Sequence, residues 1–213
     1  MMTSEDLTPY IDKLGDIYQE IDAQYAQLQG VYNGFSCDGC EDNCCNTVFF
    51  HYTLLETNYL YRGLSEINDP QQIEVILQRA EDYSRQVVSH PYDSHKLRIM
   101  CPLNLEGRCI VYKHRPLICR IHGVPAVLHS SAKGRQEWDG CQQFVLRCGN
   151  DAKAKGELLD RTPFYTRIAT LEKQLREELV FFHKTKKTIA DMVMDFANMV
   201  MSSTMQGCSF GCK

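Results

Sequence analysis

Apolar residues recur in alternating steps of four and three near the start of the chain: Leu7, Ile11, Leu14, Tyr18, Ile21, Tyr25 and Leu28. In a helix that spacing collects them into one narrow seam, so residues 1–30 are expected to be helical. Gly30 and the pair Asn33-Gly34 supply the stop. The seam either packs inside the chain or pairs with a protein partner or a second copy, as coiled-coil seams do. A shorter helix is expected over residues 53–64, with Leu54, Leu55, Tyr59 and Leu60 apolar. Asp69-Pro70-Gln71-Gln72 opens another, with an aspartate cap, a proline in the first turn and a glutamine at the capping-box position. Its apolar positions are Ile73, Ile76, Leu77, Ala80, Tyr83 and Val87, and Pro91 requires it to end before that point.

Between residues 91 and 149 the periodicity is lost. Pro102, Pro116 and Pro125 exclude long helices, Leu105-Glu106-Gly107-Arg108 reads as a turn, and Cys109-Ile110-Val111-Tyr112 reads as a short strand leaving it. A segment with so little regular apolar structure needs another organiser, and metal is the natural one. Helical spacing returns at Ile168, Leu171, Leu175, Leu179 and Phe182, and again at Ile189, Met192, Val193, Phe196, Met199 and Val200, the second stripe able to continue the first. The methionines read as adaptable core filler. The expected fold is mainly α: helices flanking an irregular cysteine-rich metal-binding centre with a short β-hairpin. It is expected to be one domain, 1–213, with an N-terminal helix (1–30), a cysteine region (35–145) and C-terminal helices (155–205).

Composition adds little until cysteine is reached. A net charge of −4 and a pI near 6.0 give no global attraction to nucleic acid or anionic membrane. The opening MMTSEDLTPY lacks the apolar core of a secretory signal, and no run of residues reaches the length of a membrane span. The expectation is a cytoplasmic protein with no membrane association.

Eight of the 11 cysteines fall in two groups. Cys37, Cys40, Cys44 and Cys45 lie within nine residues, while Cys101, Cys109, Cys119 and Cys141 are spread over the irregular segment. Thiolates are soft anionic ligands suited to zinc and iron–sulfur clusters, and in a reducing compartment clustered cysteines bind metal more often than they form structural disulfides. If the first group is helical or turn-like, Cys37, Cys40 and Cys44 share a face and Cys45 points about 100° away from Cys44. If it is extended, the adjacent pair points to opposite sides. Either geometry favours two sites, or one polynuclear site, with ligands drawn from both groups. One division joins Cys37, Cys40 and Cys44 to a later cysteine and leaves Cys45 with the other three.

The surrounding charge fits. Lys96, Arg98, Arg108, Lys113, Arg115 and Arg120 face a single acid, Glu106, between positions 96 and 122, and can offset the charge of a thiolate centre. The competing reading, a basic patch for phosphate or nucleic acid, lacks an aromatic ladder or a phosphate loop, so nucleic acid is not expected. His114 and His122 flank Cys119 and could replace a thiolate, but read better as structural or surface histidines. Cys148 reads as a non-ligand, and Cys208 and Cys212 as spare thiols in a terminal tail, with a redox pair or a metal handover point as the alternatives.

The run Cys37-Asp-Gly-Cys40-Glu-Asp-Asn-Cys44-Cys45 resembles the signature of the CxxCxxCC cysteine-cluster proteins, described as zinc- or iron-chelating domains. Residues 101–123, CPLNLEGRCIVYKHRPLICRIHG, resemble that family's second block: a Cys-Pro, a Gly-x-Cys turn, a tyrosine, then Arg-Pro and Cys-Arg. The resemblance covers residues 35–145, about half the chain. It implies eight cysteine ligands, which map onto Cys37, Cys40, Cys44, Cys45, Cys101, Cys109, Cys119 and Cys141. One departure stands out: three residues separate Cys40 from Cys44, where the family name has two.

The resulting expectation is a metal-binding protein holding an iron–sulfur cluster, of the 4Fe–4S type, or zinc, in a structural or redox role. Some relatives are associated with flagellin lysine methylation, so a metal-dependent protein-modifying enzyme is one alternative. A metal-delivery or scaffold protein is another. Against catalysis, the chain has no C-x-x-x-C-x-x-C run of a radical enzyme and no Gly-rich cofactor loop after a strand.

Overall fold

A computed structural model describes residues 4–36 and 44–207. The chain is mainly helical with short strands. The helices are α1 (Ser4–Val31), α2 (Leu54–Ser65), α3 (Pro70–Val88), α4 (Leu117–Ile121), α5 (Gln142–Lys155), α6 (Thr162–Glu178) and α7 (Ile189–Gly207). The strands are β1 (Asn104–Leu105), β2 (Arg108–Cys109), β3 (Ala126–Ser130), β4 (Gly134–Trp138) and β5 (Leu159–Asp160). Among the described residues, no helix is long and apolar enough to cross a membrane. The chain divides into two compact units, Met1–Cys44 with Pro116–Lys184, and Cys45–Arg115 with Thr185–Lys213.

In the first unit α1 packs on α4 and α6. The seam read from the sequence is what it buries: Ile11, Leu14, Tyr18, Ile21 and Leu28, joined by Tyr10 and Ile17. Polar pairs along the same helix fix its neighbours. Asp22 meets the buried Arg120 of α4 at 2.5 Å, with that guanidinium stacked on the Tyr18 ring, and Glu20 takes both Nη atoms of Arg167 on α6 at 2.5 and 2.7 Å. Gln29 and Tyr32 close the C-terminal end, Tyr32 donating to the carbonyl of Glu157 and packing edge-on against Phe144 of α5.

Beside these helices lies a three-stranded sheet in the order β4-β3-β5, with β3/β4 antiparallel and β3/β5 parallel. This sheet and α5 correct the expectation of an irregular stretch running to residue 149. Their signal is weak because β4 (Arg135, Gln136 and Glu137 at its centre) is polar and largely exposed, and between Gln142 and Gly149 α5 buries Phe144 and Cys148 while Val145 and Leu146 stay exposed.

The second unit packs α7 against α2 and α3. Its core gathers Leu60, Leu64, Ile76, Ala80, Tyr83, Leu103, Val111, Met192 and Val193. Thr53 caps α2 by accepting from the Glu56 N–H at 3.1 Å while its hydroxyl donates to the Glu56 carboxylate at 2.7 Å. Asp69 caps α3 through the Gln71 N–H at 2.9 Å, with Pro70 in the first turn. The two C-terminal stripes are separate helices: α6 ends at Glu178, and Val180 leaves it with a positive φ of 51°.

Candidate metal centre

Backbone pairing in the second unit gathers Cys45, Cys101 and Cys109. Cys45 sits in a single 3-10 turn, Cys44–Asn46. The Cys45 carbonyl accepts from Cys101 N–H and the Asn46 carbonyl from Ile99 N–H, both at 2.8 Å, and Thr47 bridges antiparallel to Arg98. Residues 45–47 therefore lie alongside 98–101. Beyond Cys101 comes a turn with Pro102 at its second position, closed by Asn104 N–H on the Cys101 carbonyl at 3.0 Å.

The β1–β2 hairpin follows. Its loop residues Glu106 and Gly107 both take positive φ, 51° and 81°, as a two-residue type I′ turn requires. Leu105 pairs with Arg108, Asn104 with Cys109, and Ile110 N–H donates to the Leu103 carbonyl at 3.0 Å. The Asn104–Cys109 pair therefore falls between two hydrogen-bonded pairs. That is the register in which facing side chains share one side of the ribbon and approach most closely, with Cα atoms about 4.5 Å apart. The strand is shorter than the sequence indicates: it stops at Cys109, and a 3-10 turn, Tyr112–His114, takes over.

All three cysteines are half-buried, and Cys101 and Cys109 pack against the core that holds Val48, Ile99, Leu103 and Val111. Two amide atoms stand out at the same place. Asn104 is 4% exposed, and its Nδ2 is buried with no hydrogen-bond partner among the described residues; the same holds for Oδ1 of Asn46, next to Cys45. A buried donor left unmade costs on the order of 1–3 kcal/mol, so its retention there calls for an acceptor.

Cys119 and Cys141 belong to the first unit. Cys119 lies in α4, and Cys141 precedes α5, where its Sγ accepts the Phe144 N–H at 3.4 Å as a capping side chain does. Cys141 N–H donates to the Gly123 carbonyl at 3.0 Å. That crossing needs glycine at position 140, whose φ is 96° and where a Cβ would come within 2.6 Å of the Gly123 oxygen. The corner thus brings Cys141 to the chain just past Cys119.

Cys37, Cys40, Cys208 and Cys212 lie outside the described residues. Among the described residues, no three His, Cys, Asp or Glu side chains converge as a metal-holding group. The basic residues read as charge partners for a metal site take other roles in part. Lys96 pairs with Asp93, Arg115 bonds the Tyr112 carbonyl and stacks on its ring, and Arg120 is held by Asp22 and Tyr18. His114 lies against Gly63 and Tyr59 in the packing of α2, with its Nε2 3.7 Å from Glu66. Cys148 is buried on α5 and points its Sγ at the Tyr32 carbonyl, 3.8 Å away. Asn104 escaped the sequence reading although the signal was there, because a two-residue loop at Glu106-Gly107 dictates that residue 104 faces residue 109. No family model, curated protein or solved structure matches the chain.

Proposed function

We propose that this chain is a metal-binding protein of the CxxCxxCC type, holding zinc or an iron–sulfur cluster through clustered cysteine thiolates in a reducing, cytoplasmic setting. The observation that supports it best is the backbone pairing that links Cys45 to Cys101 and sets Asn104, whose buried amide donor has no acceptor among the described residues, opposite Cys109. A coordinated thiolate is a strong acceptor for such a donor, so the residues present fit the group.

The proposed ligands are Cys45, Cys101 and Cys109 in the second unit and Cys119 and Cys141 in the first, with Cys37, Cys40 and Cys44 completing the eight. The N–H that Phe144 gives to Cys141 is the support expected for a sulfur that carries negative charge. Zinc bound by four thiolates would serve structure, whereas an iron–sulfur cluster would supply electron transfer or redox sensing.

Purification without oxygen, followed by a visible spectrum and iron, sulfide and zinc analysis, tests the proposal. Brown protein with matching iron and sulfide, or colourless protein with stoichiometric zinc, is expected. Protein that holds none of these, and takes up none on reconstitution, refutes it.

A further inference from the structure

We infer that Asn104 is a positioning residue for the proposed centre: its carboxamide N–H donates to the Cys109 sulfur when that sulfur binds metal. The inference rests on the metal-binding reading and adds a residue that cysteine spacing does not supply.

Three observations converge on it. The hairpin register pairs Asn104 directly with Cys109, so the two side chains stand on one face at the closest cross-strand spacing. The Asn104 backbone N–H is already fixed to the Cys101 carbonyl, which ties the same residue to a second expected ligand. Its Nδ2 is buried and makes no hydrogen bond among the described residues, although leucine at the same place would leave no polar atom to satisfy. A neutral thiol accepts hydrogen bonds weakly, whereas a metal-bound thiolate carries the charge that makes it a good acceptor. Among the described residues the donor has no acceptor, and a metal-bound Cys109 sulfur would supply one. The other orphaned amide atom, Oδ1 of Asn46, is an acceptor and cannot serve a sulfur anion.

Loading with cobalt(II) alone, a coloured probe of thiolate sites, tests the assignment on the full chain without oxygen. Wild type, Asn104→Leu and Asn104→Asp are compared by chelator competition, by the thiolate-to-cobalt charge-transfer band, and by thermal melting of the metal-free protein. Removing the donor is expected to weaken binding by about 10-fold or more, the scale of lost outer-shell partners. It should also move the band to longer wavelength, because the sulfur lone pair loses its stabilising hydrogen bond. Asn104→Asp keeps the shape but sets a carboxylate against the thiolate, and should bind more weakly still. The metal-free melting temperature of Asn104→Leu should stay the same or rise, because the buried amide is gone.

Unchanged affinity and an unchanged band in both variants overturn the role of Asn104 while leaving metal binding intact. So does a loss of metal-free stability in both variants that parallels the loss of affinity, which would make Asn104 a structural residue only. Wild-type protein that takes up neither cobalt nor, on reconstitution, iron with sulfide overturns the metal reading itself.

Discussion

Val180 offers a perturbation whose size can be worked from the structure. Phe181 N–H donates to the Arg176 carbonyl at 2.9 Å and Val180 N–H to the Glu177 carbonyl at 3.2 Å, the paired bonds of a Schellman helix end. That motif puts the residue after the cap in the left-handed region, and here it is a β-branched residue with φ of 51°. Such a position costs on the order of 1–3 kcal/mol when it is not glycine, and about 2 kcal/mol is a central value for valine. Glycine at 180 releases this strain but adds about 0.7 kcal/mol of unfolded-state entropy. Val180 is 76% exposed, so losing its side chain forfeits about a quarter of the 1.5–3 kcal/mol of full burial, roughly 0.5 kcal/mol. The balance predicts that Val180→Gly stabilises the protein by about 1 kcal/mol, read as a raised urea midpoint by circular dichroism. Val180→Ala, which keeps the Cβ and loses only the branch, should fall between. A Val180→Gly variant no more stable than wild type would show that no strain is stored there, and that Arg176, which reaches the His183 carbonyl at 2.6 Å, fixes the turn without cost to Val180.

The remaining predictions concern packing, pH and the specificity of the proposed ligands. Gly63→Ala puts a Cβ 2.6 Å from the His114 Cβ, so overpacking of about 1–3 kcal/mol should outweigh the roughly 1 kcal/mol helix preference of alanine, whereas Gly30→Ala on α1 meets no atom within 4 Å and should stabilise; urea titration of the pair separates the two effects. Burial, reinforced by the charge of Asp195, pushes the Tyr61 phenol from 10.0 up to about 12, so the folded state holds its proton after the unfolded chain begins to lose it. Its contribution is complete below pH 10 and lost as pH rises towards 12; Tyr61→Phe should flatten the alkaline fall in stability over that window, and an identical slope would contradict the assignment. Cys148→Ala should leave metal content unchanged while lowering stability by about 1 kcal/mol, and Cys101→Ser should lose metal; equal metal loss in both variants would show that the cysteines are not distinguished as the placement of Cys148 on α5 implies.

What the sequence discloses depends on how local the determining physics is. The seam from Ile11 to Leu28, the caps at Thr53 and Asp69 and the Glu106-Gly107 turn are set by neighbours a few residues away, and each is legible in the string. The β3–β4 hairpin is not, because its outer strand is solvated and carries no apolar alternation. The break between α6 and α7 is also hidden, since it is made by a valine in a conformation that valine rarely adopts. The cysteines lie between these cases. Their spacing announces thiolate chemistry, but only tertiary pairing assigns them: the Cys45 carbonyl selects Cys101, and a two-residue loop selects Asn104 as the residue facing Cys109. The same pairing gives Asn104 a meaning that composition cannot. An asparagine in a turn-rich segment reads as an ordinary turn former, and it becomes a candidate hydrogen-bond donor to sulfur only once its amide is seen to be buried, opposite a cysteine and without an acceptor among the described residues.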